Sequence, residues 1–232
     1  MFSSGISLKR SVAAAVLPYR EFLDRTNWTS RWCRTVKQAD CPQFPRRGLM
    51  YEYLHSTFLG DAPIDYIEFG VAEGASLRYW CALNQHASSR FFGFDCFTGL
   101  PEDWDADRPK GAFSRHGQPP DVRDPRVKFQ VGLFQDSLPP FLASYRPSNR
   151  VVIHNDGDLY SSTLYTLTMM ETIISPDTVV IFDEFWDALH EYRALRDYSV
   201  AYRRPFKIVA ASDRFSAVAV VFSARQLFPQ VE

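Results

Sequence analysis

The chain has 232 residues, 46% of them hydrophobic, enough for one substantial core with or without a helical extension. A formal net charge of -1 leaves no basic footprint for nucleic acid or for an acidic membrane surface. Cys33, Cys41, Cys81 and Cys96 show no Cys-x-x-Cys spacing and no neighbouring histidine cluster, which argues against a zinc or redox site and for a reduced cytoplasmic chain.

Residues 1 to about 60 read as helical, with Leu8, Val12, Val16 and Leu17 at helical spacing and Leu49, Tyr53, Leu54 and Phe58 repeating it. Lys9-Arg10 followed by Val12 to Leu17 faintly resembles a signal peptide. The apolar stretch is too short to export or to span a bilayer, and an amphipathic helix fits it better. Cys41-Pro42-Gln43-Phe44-Pro45 reads as an irregular connection. The pairs Arg46-Arg47 and Arg203-Arg204 read as solvated surface. Trp28, Trp32, Tyr51 and Tyr53 offer an aromatic face for a second copy, so a homo-oligomer is an open possibility.

From Ile64 onward, short apolar runs alternate with helix patterns. The runs are Ile64–Phe69, Phe91–Phe94, Val127–Val131, Val151–Ile153 and Thr178–Phe182. Helix patterns fall near Ser76–Leu83, Leu138–Ala143, Thr163–Ile174 and Ala188–Tyr198. Apolar strands separated by helices predict an α/β fold, with a mostly parallel, doubly wound sheet covered on both faces. Phe206–Ala210 and Ser216–Phe222 follow each other with only a short turn between them, which predicts a terminal antiparallel hairpin. Residues 1–60 then form an N-terminal helical extension and 61–232 the α/β domain. The stretch from about 96 to 125 is a long loop, expected to act as a lid; disorder is the alternative its composition allows, and Phe97, Trp104 and Phe113 argue for packing.

The most informative segment is Glu68-Phe69-Gly70-Val71-Ala72-Glu73-Gly74-Ala75-Ser76. An acid and two glycines stand where a strand turns into a helix, and glycine lets ligand atoms approach the backbone. A dinucleotide fingerprint would place glycines at positions held here by Ala72 and Ala75. The pattern suits a cationic nucleoside without phosphate, for which S-adenosylmethionine is the candidate; an ordinary glycine turn is the bland alternative.

Ligands of open parallel sheets bind beyond the carboxyl ends of the strands. The second strand ends in Asp95, suited to a ribose diol, and the third leads through Gly132 to Asp136. Glu68, Gly70, Gly74, Ser76, Asp95 and Asp136 are therefore the cofactor-side candidates. The fourth strand runs into His154-Asn155-Asp156-Gly157-Asp158 and the fifth into Asp183-Glu184. So many acids at one rim repel one another unless something positive binds among them. Asp156, Asp183 and Glu184 can present hard oxygens to Mg2+, with Asp158 beside them as a further ligand or a base. Asn155-Asp156-Gly157 is also a hairpin signal, but Ser161, Ser162 and Thr163 followed by Leu164, Leu167 and Met170 fit a helix start better. Among histidines, His190 is the candidate base; His154 reads as a core or strand-end residue, and His116 lies on the lid.

Four motifs in this order resemble the class I S-adenosylmethionine-dependent methyltransferases, and within them the macrocin O-methyltransferase-like family. They are Tyr66-Ile67-Glu68-Phe69-Gly70-Val71, Gly93-Phe94-Asp95-Cys96-Phe97-Thr98-Gly99-Leu100-Pro101-Glu102, Asp156-Gly157-Asp158-Leu159-Tyr160-Ser161-Ser162-Thr163 and Ile181-Phe182-Asp183-Glu184-Phe185. The resemblance spans about residues 46 to 222. It implies a seven-stranded Rossmann-like sheet with a terminal antiparallel strand, and Mg2+-assisted methyl transfer to an oxygen of a hydroxylated small molecule such as a sugar. By the same resemblance Glu68 to Gly74 cradles the cofactor, Asp95 takes the ribose, and Asp156, Asp183 and Glu184 hold the metal. Glu184 stands where a second aspartate is usual, which lengthens that ligand's reach. Catalytic roles are expected for Asp156, Asp158 and His190. The competing readings are a non-catalytic nucleoside-binding protein of the same fold and an NAD-dependent oxidoreductase.

Overall fold

The computed structural model describes residues 22–224. The helix expected around Leu8 to Leu17 lies outside them. The described residues fall into two compact units, divided between Gln38 and Ala39. In the first, residues 22–38 form a helix (α1) in which the Thr26 and Ser30 hydroxyls donate to the carbonyls four residues earlier.

The second unit is built on one sheet. Its strands in chain order are β1 (Gln43–Phe44), β2 (Ile64–Phe69), β3 (Arg90–Asp95), β4 (Val127–Val131), β5 (Arg150–Asn155), β6 (Val179–Phe182), β7 (Phe206–Ser212) and β8 (Ala217–Phe222). Their spatial order is β1-β7-β8-β6-β5-β2-β3-β4. Only β8 runs antiparallel, to both β6 and β7. The expected hairpin is there, but the sheet has eight strands among the described residues. The additional one is Gln43–Phe44, inside the stretch read as irregular, where two residues pair with Ala211 and Ser212 at the edge. Two residues flanked by Pro42 and Pro45 carry no periodicity for the sequence to show.

The helices are α2 (Arg47–Leu54), α3 (Ala75–Leu83), α4 (Phe134–Ser144), α5 (Tyr160–Met169) and α6 (Glu191–Ala201). One face of the sheet is covered by α2 and α3, whose Met50, Tyr51, Leu54, Leu77 and Trp80 pack with Ile64, Tyr66, Val152 and Ile181. On the other face Phe69 meets Phe134, and Phe92 and Phe94 meet Phe141 of α4. Alternating residues of one strand thus serve opposite faces, so the central strands are apolar along their whole length.

Register brings the functional ends together. Glu68 lies opposite both Gly93 and His154, and His154 opposite Ile181. Gly70, Asp95, Asp156 and Asp183 therefore fall at one rim. At the other end of β2, the buried Asp65 accepts hydrogen bonds from Arg90, Tyr145, the Ser148 amide and Asn149. No helix among the described residues is long and apolar enough to cross a membrane.

Candidate active site

The turn after β2 is fixed by backbone contacts. Gly70 donates to the Phe94 carbonyl (2.9 Å) and the Asp156 amide donates to the Phe69 carbonyl (2.8 Å), so three strand ends meet here. Gly70 has φ +89°, and a Cβ on it would lie 1.8 Å from the Asp156 carbonyl oxygen. A side chain is excluded by another strand end as well as by backbone conformation. Asp95 closes the turn: its Oδ2 accepts from the Val71 and Ala72 amides (2.8 and 2.9 Å) and its Oδ1 from the Phe97 amide (2.7 Å). A carboxylate offers about four lone-pair sites, so one place is left for a ligand hydroxyl.

Gly70 and Asp95 line a cavity of about 310 Å3 together with Leu133, Phe134, Asp156, Asp158, Asp183 and Glu184. Its roof comes from residues 96–125, which are folded back on themselves. Leu100 donates to Ala112, Gly111 to Leu100, and both Arg115 and Gly117 to Phe97. Trp104 is buried with Leu100 and Leu159, and its indole N–H donates to Asp187 Oδ2 at 3.1 Å. Arg108 lies 3.6 Å over the Trp104 ring. The stretch packs on itself and against α5, the packing that its aromatic content suggested.

The other expected site residues lie apart from the cavity lining. Glu68 is fully buried, accepting from the hydroxyls of Ser76 (2.6 Å) and Tyr66 (2.7 Å). Gly74 has φ +72° at the start of α3, beside Pro120. Asp136 sits in the first turn of α4, one residue beyond Gln135, which does line the cavity. His190, expected about a turn inside a helix, precedes the first residue of α6, because Asp187 caps a turn there by accepting from the Leu189 and His190 amides. Its Nδ1 accepts from the Tyr160 amide at 3.2 Å.

The acids at the rim perturb one another. Burial, then Asp183 and Asp158, push the Asp156 carboxyl well above its ordinary range. Asp158 is pushed up to about 7, first by burial and then by Glu184 and Asp183. Burial also raises Glu184, and raises Glu191 strongly, whose Oε2 accepts from the Glu184 amide at 2.8 Å. Asp183 goes the other way: burial alone would raise it, but His154 and Arg47 beside it outweigh that. Perturbed carboxyls concentrated in a cleft make it the candidate functional site.

Two of the groups that hold this balance escaped the sequence reading. Arg47 at the start of α2 pairs with Asp183 Oδ2 and lies 3.8 Å from Glu184 Oε1. It was read as solvated surface because nothing local signals a partner 136 residues away. Arg204 of the other basic pair is likewise engaged, with Glu171 at 3.0 Å. His154 is a core residue, but its Nε2 lies 3.5 Å from Asp183 Oδ1 and has no hydrogen-bond partner among the described residues. Its Nδ1 meets the Tyr66 hydroxyl at 2.7 Å. One ligand atom each from His154, Asp156 and Asp183 lies within 4.8 Å of the other two. An orphaned ring nitrogen beside two carboxylates fits a divalent cation. Glu184 lines the same cavity, with Oε2 accepting from the Trp186 indole.

A model of a methyltransferase domain matches residues 67–185. The chain belongs to this methyltransferase family. The matched span runs from β2 through Phe185 and carries most of the acid rim just described. Among relatives of the chain, a tetracenomycin-type rhamnosyl 4'-O-methyltransferase of Streptomyces olivaceus is 32% identical over 61% of the chain and 63% of its own length. The mycinamicin III 3''-O-methyltransferase of Micromonospora griseorubida is 27% identical over 60% of the chain and 64% of its own length. The chain thus matches less than two thirds of either relative. The crystal structure of CalS11, a calicheamicin methyltransferase, covers 87% of this chain and 93% of its own with a TM-score of 0.57 and 20% identity, which shows the shared fold.

Proposed function

We propose that this methyltransferase moves the methyl group of S-adenosylmethionine to a hydroxyl of a small molecule, a sugar or another natural product. The observation that carries the reading is the convergence of Asp95, Asp156, Asp158 and Asp183 on one lidded cavity inside a methyltransferase domain. The named relatives, a rhamnosyl 4'-O-methyltransferase and a mycinamicin III 3''-O-methyltransferase, support the same acceptor class. The acid rim attracts a sulfonium, and Asp95 retains a lone-pair site for a ribose hydroxyl.

S-adenosylmethionine supplies a methyl group already activated on sulfur. Asp156 and Asp183, with His154 or Glu184 completing the set, would hold a Mg2+ ion, which would supply Lewis acidity. Asp158, poised near 7, takes the proton of the acceptor hydroxyl. Trp104 and its neighbours hold the lid over the cavity and keep water out. His190 orients the start of α5 through the Tyr160 amide rather than meeting the acceptor. We assign the chemistry to residues 61–232, with residues 96–125 as the lid and residues 1–60 as an extension. We place the protein in the cytoplasm and propose association of two copies through the N-terminal region, without Tyr51, which packs in the core.

Incubation with methyl-labelled cofactor and Mg2+, across a panel of hydroxylated sugars and phenols, tests the proposal. Label on an acceptor oxygen is expected. Stabilisation by S-adenosylhomocysteine with no transfer to any acceptor would favour a binding protein, and stabilisation by NAD instead would overturn the cofactor assignment.

A further inference from the structure

Arg47 lines the cavity, and the proposed chemistry does not use it. It comes from α2, outside the residues matched by the family model. Its guanidinium reaches across to the two residues that follow β6, pairing with Asp183 and facing Glu184. Two further facts narrow its role. Asp183 Oδ1 faces the buried Tyr51 and His154, each at 3.5 Å, so Oδ2 is the oxygen left for the cavity, and Oδ2 is the atom Arg47 takes. The Arg47 side chain is also 47% exposed, so a long flexible arm can leave for water without opening the core.

Resting on the reading that these acids hold a divalent cation, we propose that Arg47 and that cation are rivals for the Asp183–Glu184 edge. In the metal-free protein Arg47 is the resident counter-ion. It neutralises a carboxylate that would otherwise stand close to Asp156 with like charge. A divalent ion needs the same Oδ2 lone pairs, and two cations sharing them repel at short range. Loading therefore displaces the guanidinium, which swings toward the cavity mouth that Arg47 already lines. The device makes cation uptake conditional: weak binders leave Arg47 in place, and the acid pair is never bare. A lysine at this position would keep the charge but lose the planar fork that spans Asp183 and Glu184 together.

The test is Mn2+ titration of the protein without cofactor or acceptor, by calorimetry and by paramagnetic resonance of the free ion. The wild type is compared with Arg47→Met, Arg47→Lys and Asp156→Ala. Arg47→Met should bind Mn2+ at least about tenfold more tightly, with Arg47→Lys between it and the wild type. Saturating Mn2+ should also raise the melting temperature of Arg47→Met more than that of the wild type. Equal or weaker binding by a folded Arg47→Met overturns the rivalry and makes Arg47 a supporting contact. Failure of a different kind is recognisable: if Asp156→Ala takes up Mn2+ as well as the wild type, or no variant binds it, the cation reading itself falls and the rivalry with it.

Discussion

Gly70→Ala isolates what the glycine motif does. The substitution adds a Cβ 1.8 Å from the Asp156 carbonyl oxygen, at a φ of +89°. The positive φ costs an L-residue roughly 1–2 kcal/mol. Relieving the contact requires the ends of β2 and β5 to part, an overpacking cost of about 1–3 kcal/mol. The sum, roughly 2–5 kcal/mol, lowers the melting temperature of a chain this size by about 4–20 °C. Gly111→Ala is the internal control, since Gly111 has φ +87° and nothing within 4 Å of the added carbon; it should lose only the backbone part. The assay is scanning calorimetry of both variants, with S-adenosylhomocysteine affinity measured on the folded fraction. Gly70→Ala should lose more stability than Gly111→Ala and should also lose ligand affinity. If the two melt together and Gly70→Ala binds as well as the wild type, the close approach of the strand ends is not what demands glycine here.

Asp158→Asn should reduce kcat by about 10²- to 10⁴-fold, and the wild-type kcat/KM should rise through a limb near pH 7 that the variant lacks. Because the folded carboxyl of Asp158 is raised to about 7 above its ordinary 3.8, the native state holds a proton there that the unfolded chain has released. Its contribution destabilises above pH 7 and is relieved as pH falls toward 4, so the wild type should melt higher at pH 5.5 than at pH 8, with a smaller difference in Asp158→Asn. Asp65→Ala leaves Arg90, Tyr145 and Asn149 without their common acceptor; urea denaturation should show a loss of about 3–5 kcal/mol, with ligand affinity of the folded protein unchanged. Trp104→Phe removes the indole hydrogen bond to Asp187. At about 1 kcal/mol this should accelerate limited proteolysis within residues 96–125 by roughly five- to tenfold, and raise the acceptor KM.

The elements that sequence made legible are those whose signal is local. β2 begins and ends where the apolar run Ile64–Phe69 does, and β4 matches Val127–Val131 as well. The strand-end acids were equally visible, because one rule places ligands beyond carboxyl ends and the register of β2, β5 and β6 then brings Asp156 and Asp183 together. What stayed hidden depends on pairing at a distance. Gln43–Phe44 becomes a strand only because β7 offers an edge. Arg47 looks like any surface arginine until α2 is laid over β6. Glu68 carries the motif's acid, yet it lies inside the sheet: even-numbered residues of β2 point toward α3, and Ser76 and Tyr66 satisfy it there. Strand alternation could have shown that Glu68 and Tyr66 share a face, but not that His154 of β5 would join them.

The Trp104 anchor has a bearing on how a chain of the proposed activity would change its taste in acceptors. Asp187, which receives the indole, stands three residues beyond Glu184 on the same short connection between β6 and α6. On the proposed function, the cover that sorts molecules and the carboxylates that act on them would hang from one strap. A variant lid that admits a bulkier guest would then tug on the strap and disturb the reactive groups, so new selectivity on this scaffold would arise together with retuned chemistry.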